Sequence, residues 1–205
     1  MKLYYMPGAC SLASHIVLEW IGKPYQAKKL SREELKQPEF LQINPLGAVP
    51  ALVDGDLKLT QNAAILEYLA EQAPQSQLLG DGSAASRAQV RRWLGLINSD
   101  VHRTFSLIFG AQRYLPDDET AQAKLAASAA TQLRTLFGHL DQQLADRPYL
   151  AGAAPSIADP YLYVVLRWAR GKNIDLSGMN NLAAFFQRME ADPAAQAALH
   201  AEGLN

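Results

Sequence analysis

Cysteine is nearly missing from this chain: Cys10 is the only one in 205 residues. An internal disulfide is therefore impossible, and no C-x-x-C pair is available for redox cycling or zinc binding. A single thiol agrees with a reducing compartment. Charge of one sign is also missing. Nineteen Lys and Arg against 20 Asp and Glu leave a net charge of -1, which offers no electrostatic footprint for nucleic acid or for an anionic membrane surface. No stretch reaches the ~18 apolar residues of a membrane span, and Met1 to Pro7 is too short an apolar run for a secretory signal. His15, His102, His139 and His200 are scattered without ligand spacing, so no metal is expected. A phosphate loop, a dinucleotide fingerprint and a nucleophile elbow are likewise absent. What survives these exclusions is a cytoplasmic enzyme or binding protein whose chemistry is that of one thiol.

The composition, 49% apolar and 19% charged, is that of an ordinary globular protein, and the length suits two unequal domains. Lys2 to Tyr5 is short and aromatic, Pro7-Gly8 breaks it, and Leu12, Ile16 and Trp20 then recur as one face of a helix. Cys10 thus falls at a helix start, where free amides and the helix dipole can lower a thiol from about 8.5 towards roughly 3.5–7.5. On that reading it is reactive at neutral pH; on the other, a lone cysteine is a buried, inert hydrophobe.

Gly22 suits a helix C-cap, and Pro24 to Leu30 suits a second strand. Asn44 to Pro50 is an irregular loop. Asp54-Gly55 turns a hairpin between two short runs, and a helix opens at Thr60 to Ala63 with Ile65, Leu66 and Leu69 inward. The order β-α-β, loop, β-β-α is that of a thioredoxin-like domain, placed at residues 1–76. A linker at 77–83 leads to an all-helical domain at 84–205. Its helices carry Trp93, Ile97, Val101, Phe105 and Ile108; then Leu125 to Leu144; then Tyr161 to Trp168 after a Ser156-x-x-Asp159 capping box; then Leu182 to Met189. His102 by itself suits a solvated or packed helix histidine.

Five segments in order resemble the cytosolic glutathione S-transferases, and among them the bacterial beta class. These are residues 2–15 (Lys-Leu-Tyr-Tyr-Met-Pro-Gly-Ala-Cys-Ser-Leu-Ala-Ser-His), Asn44-Pro45-x-Gly47-x-Val49-Pro50-Ala51-Leu52, Ala64-Ile65-Leu66-x-Tyr68-Leu69, Ser156-Ile157-Ala158-Asp159 and Ala201-Glu202-Gly203-Leu204. The resemblance implies a thioredoxin-like α/β N-terminal domain followed by an all-α C-terminal domain. It implies glutathione as co-substrate with no further cofactor, a small hydrophobic electrophile and a homodimer.

The implied roles follow residue by residue. Cys10 and His102 are catalytic. Ala9, Cys10, Val49, a cis Pro50, Gln61, Asn62, His102 and Arg103 surround glutathione, with the Val49 main chain pairing its cysteinyl backbone and the Gln61-Asn62 helix start its γ-glutamyl end. Arg32 or Lys36, with Arg32 preferred, meets the glycyl carboxylate. Tyr5, Phe105 and Trp168 are assigned to the electrophile wall. Three departures stand out: Gln61-Asn62 where the family has an acid followed by a small residue, Arg103 where it has Lys, and Gly95 where relatives carry a polar residue. Asp159 is read as a cap. The expected function is conjugation of glutathione to small electrophiles, with mixed-disulfide chemistry at Cys10. The alternatives are a glutathione-dependent peroxidase, dehalogenase or isomerase, or a non-catalytic ligand binder.

Overall fold

The computed structural model describes residues 1–204; Asn205, the last residue of the expected helical domain, lies outside them. Strand β1 (Lys2–Tyr5) runs into helix α1 (Ser11–Ile21), which Gly22 ends in a left-handed conformation with its N–H bonded to Leu18. The chain returns as β2 (Gln26–Lys29), parallel to β1. This strand is shorter than the expected Pro24–Leu30, because only the edge residues that pair with β1 become extended. A short helix α2 (Pro38–Leu41) and a loop then lead to β3 (Ala51–Asp54), which Gly55 turns into β4 (Leu57–Thr60). The sheet order is β2-β1-β3-β4, with β3 antiparallel to both neighbours.

Alternation along β1 separates the two faces of the sheet. Leu3 and Tyr5 join the main core with α1 and α3 (Asn62–Glu71), while Tyr4 packs with Leu30, Phe40 and Ala51 on the other face. Periodicity gave α1 one apolar stripe, but every residue from Ser11 to Leu18 is buried. The reason lies in the second half of the chain: α1 is also covered by α8 (Ala158–Gly171) and α10 (Pro193–Glu202).

Between them the helical half runs through α4 (Ala84–Gly95), a wide π turn (Leu96–Val101), α5 (His102–Phe109), the short α6 (Ala111–Tyr114), α7 (Glu119–Gln143) and α9 (Asn180–Glu190). The helix expected to carry Trp93 through Ile108 is thus continuous with a π turn inside it, a feature that a 3.6-residue pattern does not reveal. Helix α8 buries every residue from Ala158 to Leu166. Its start is fixed by Asp159, whose carboxylate accepts from the main-chain N–H groups of Ser156 (2.7 Å) and Leu150 (2.9 Å) and from the Ser156 hydroxyl (2.8 Å). One hydrophobic core runs through both halves, joining Leu3 and Ile16 to Trp93, Phe137 and Tyr161. Residues 158–166 therefore act as the wall on which α1 rests.

Candidate active site

Cys10 closes the turn Met6–Ala9 and stands immediately before α1. The turn needs a left-handed residue at Gly8, with φ 71°. Both main-chain groups of Gly8 are held by side chains from the helical half: its N–H donates to Glu202 (2.9 Å), and its C=O accepts from the Trp168 indole (2.8 Å). The second oxygen of Glu202 accepts from His15 Nδ1 at 3.0 Å, and both side chains of that pair are fully buried. Leu204 lies over Gly8.

On the far side of Cys10, the thiol donates to the Val49 carbonyl at 3.6 Å, and Val49-Pro50 is cis. Asn44 shapes this loop by donating to the Ala48 carbonyl (2.6 Å) and accepting from the Leu46 N–H (3.1 Å). Asn62, at the start of α3, is buried and inward-facing: its amide donates to the Cys10 carbonyl (3.1 Å) and its oxygen accepts from Ser14 (2.7 Å). Gln61 precedes it with φ 70°, a conformation uncommon for a residue with a side chain, and is exposed.

These groups border one cleft of about 260 Å³, lined by Cys10, the 44–50 loop, Gln61, Asn62, Asn98, His102 and Tyr161. Asp, Glu, Lys and Arg are absent from its lining. The Tyr161 hydroxyl donates to Asn98 Oδ1 (3.1 Å) and lies 2.6 Å from His102 Nδ1. Burial lowers the pKa of His102. Burial also raises that of Tyr161, as does the nearby Cys10, while the Asn62 side chain pulls it back.

The protonation state of Cys10 overturns the expectation of a lowered pKa. Burial pushes the thiol up to about 12; the main-chain N–H groups of Cys10 and Ser11 act in the opposite sense, and the Glu202 charge adds to the rise. The helix-start effect is present but outweighed, since no cation lines the cleft to offset the desolvation of a thiolate. Cys10 is thus a thiol beside a neutral imidazole.

Of the residues expected around glutathione, Cys10, Val49, Pro50, Gln61, Asn62 and His102 line this one cleft. Ala9 lies in the adjoining turn. Arg32, Lys36 and Arg103 are exposed outside its lining. The electrophile wall differs from expectation. Tyr5 is buried, its hydroxyl donating to the Ala201 carbonyl and its ring against His15. Phe105 is fully buried beneath Trp168 and Phe109. Phe109 is the most exposed ring of this group, 43% exposed and edge-on to the half-buried Trp168, which in turn packs edge-on to His102. Gly95 is exposed, and its carbonyl accepts from Ser99. Asn98 and Tyr161 were not singled out from the sequence. Asn98 precedes His102 by four residues, so the usual helical spacing carried a signal; nothing local marks Tyr161.

Fold and cleft together define a protein with a helix-start thiol on a thioredoxin-like sheet, closed over by an all-helical half. Residues 1–71 match the family model described as "Glutathione S-transferase, N-terminal domain", and residues 101–193 match "Glutathione S-transferase, C-terminal domain". The glutathione S-transferase GST-4.5 of Xanthomonas campestris is 51% identical over 205 residues, spanning all of both chains. A solved glutathione S-transferase from Xylella fastidiosa superposes with a TM-score of 0.96 at 50% identity, covering 100% of this chain and 99% of that one. A bacterial beta class glutathione S-transferase from Sphingomonas chungbukensis superposes at 0.88 with 38% identity over the whole of both chains. The chain belongs to the glutathione S-transferase family of enzymes. Among the described residues, no three or more His, Cys, Asp or Glu are grouped to hold a metal ion, and no helix is long and apolar enough to cross a membrane.

Proposed function

We propose that this protein conjugates glutathione to small hydrophobic electrophiles, a detoxifying reaction carried out in the cytoplasm by a homodimer. The observation that carries the reading is the convergence of the Cys10 thiol, the Val49 main chain, the start of α3 and His102 on one cleft without formal charge. An extended cysteinyl unit pairs with the Val49 main chain. The γ-glutamyl carboxylate meets the free amides at the start of α3, where a helix favours an anion. Gln61 accepts from the γ-glutamyl ammonium, and Arg32 or Lys36 supplies charge to the glycyl end. The buried Asn62 side chain makes no direct contact; its part is to hold Cys10 against α3.

With its pKa pushed up to about 12, Cys10 serves first as a hydrogen-bond donor towards the glutathione sulfur and only second as a nucleophile. Conjugation therefore leads. In the second branch the Cys10 thiolate attacks the glutathione sulfur of a mixed disulfide R–S–S–G, giving a Cys10–glutathione disulfide and the thiolate R–S⁻; a second glutathione thiolate then attacks the glutathione sulfur bound to Cys10, releasing oxidised glutathione and the Cys10 thiolate. Phe109, Trp168 and the His102 ring supply the apolar side for the electrophile.

Initial rates with glutathione and an activated aryl halide test the reading. A rate well above the uncatalysed reaction is expected, and glutathione binding without such a rate would make the protein a ligand binder. Cys10→Ala is expected to abolish the glutathione adduct in intact mass spectra while sparing most of the conjugation. Complete loss of conjugation with binding retained would place Cys10 in the transfer step itself.

A further inference from the structure

We infer that Tyr161, held by Asn98, fixes His102 in the Nδ1–H tautomer and so leaves Nε2 as the acceptor of the thiol proton when glutathione binds. The inference rests on the glutathione reading above and assigns two positioning residues, Asn98 and Tyr161, to its reaction.

The single proton of the Tyr161 hydroxyl decides the tautomer. Tyr161 has a single O–H, and the oxygen of Asn98 lies 3.1 Å from it. An amide oxygen can only accept, so the hydroxyl proton goes to Asn98. His102 Nδ1, 2.6 Å from the same hydroxyl oxygen, must then be the donor. A neutral imidazole carries one N–H, which leaves Nε2 with a bare lone pair. The ring is neutral because burial disfavours its cation and because the cleft lining holds no carboxylate to stabilise one. The titratable groups that share this lining are Cys10 at the start of α1 and Tyr161 on α8. Arg103 and Asp100, on either side of the ring in its own helical run, are exposed.

No other side chain of the cleft can take up a proton near neutral pH. Cys10 is itself a thiol that donates to Val49, and the Tyr161 hydroxyl is committed to Asn98. The π turn Leu96–Val101 brings the pair about, since it carries Asn98 and ends where His102 begins. Such widened turns recur at functional sites. The proton balance is simple. Glutathione S–H gives its proton to Nε2, the sulfur lone pair forms the bond to the electrophilic carbon, and the leaving group departs with its electron pair. The imidazolium, still donating through Nδ1 to Tyr161, then returns the proton to solvent.

The decisive measurement is ¹⁵N NMR of the imidazoles in the protein without glutathione, with His102 assigned by its loss in His102→Gln. A neutral Nδ1–H tautomer is expected in the native protein. In Asn98→Ala the hydroxyl has lost its acceptor and turns its proton to Nδ1, so the tautomer should switch to Nε2–H. In Tyr161→Phe a mixture should appear. Both variants should lose about 10- to 100-fold in kcat, as removal of an orienting partner from a working imidazole does. Glutathione affinity should stay within about twofold, because the lost interaction matters only as the proton moves. Asn98 is only half-buried, so its variant keeps the test open should Tyr161→Phe fold poorly. An Nε2–H or protonated His102 in the native protein overturns the inference, and so does an unchanged tautomer with unchanged kcat in Asn98→Ala. The NMR result needs no substrate. A native protein that shows the Nδ1–H tautomer but no turnover of glutathione would therefore defeat the functional reading alone.

Discussion

His15 and His102 each place Nδ1 against an oxygen brought from far along the chain, Glu202 for one and Tyr161 for the other, at 3.0 and 2.6 Å. The two rings then diverge at their second nitrogen. His15 Nε2 is sealed in the core among Tyr5 and Tyr25 with no partner, whereas His102 belongs to the cleft that Cys10 lines. A histidine's work here is decided by what its free nitrogen meets, and that depends on packing rather than on the residue or its nearest neighbours in sequence. Through Glu202, His15 supports the shape of the Gly8 turn. His102 handles the proton.

The two histidines part most sharply at Glu202. Glu202→Ala strips the acceptor from His15 and from the Gly8 N–H together, and each buried donor left without a partner costs roughly 1–3 kcal/mol. Urea unfolding should show a loss of that size; a loss under about 1 kcal/mol, the value of an ordinary hydrogen bond, would mean that the pair is dispensable. His102→Ala should do the reverse. We expect kcat to fall about 100-fold, the lower range for a positioned acid–base group, with the melting temperature nearly retained. Equal effects of the two substitutions on stability and on turnover would erase the distinction.

Cys10 registers both neighbourhoods. Its alkylation by iodoacetamide should rise with pH towards a midpoint near the value of about 12 that burial imposes. Since the Glu202 charge adds to that rise, Glu202→Gln should bring the midpoint down while keeping an acceptor for Gly8. A native midpoint below pH 9 would restore the reactive thiolate expected from the helix start. The smallest effect concerns acid. His102 is harder to protonate folded than unfolded, so the unfolded chain binds the extra proton and stability falls as pH drops below the unfolded value of about 6.5. His102→Gln should flatten that part of the stability–pH curve, and an unaltered slope would show that the ring is not buried in solution.

Much of this was legible in the sequence. Pro7 to Ser11, the irregular loop Asn44 to Pro50 and the helix opening at Thr60 to Ala63 carry their signals locally, whereas the parts assigned to Val49-Pro50 and Gln61-Asn62 come from the family resemblance; Ser156-x-x-Asp159 announced its own hydrogen bonds. What stayed hidden depends on residues that meet only after folding. Tyr161 and Asn98 lie 63 positions apart, and no local pattern links them. The family resemblance assigns Tyr5 to the electrophile wall, but the strand's alternation turns it into the core. The sign of the Cys10 shift failed for the same reason: free amides can be read from a helix start, whereas desolvation depends on everything packed around it.

The two-sided grip on Gly8 also sets the time at which the protein becomes competent. The residues that grip it stand 160 and 194 positions further along, and contacts of such separation form late because loop closure must come first. The sheet and α1 can pair from neighbouring segments, yet the turn presenting Cys10 gains its final shape only when α8 and α10 have docked. Until then the thiol is more accessible to alkylation than in the finished fold. Loss of that accessibility during refolding would report the arrival of the last helix, so the thiol can serve as a clock for the protein's own assembly.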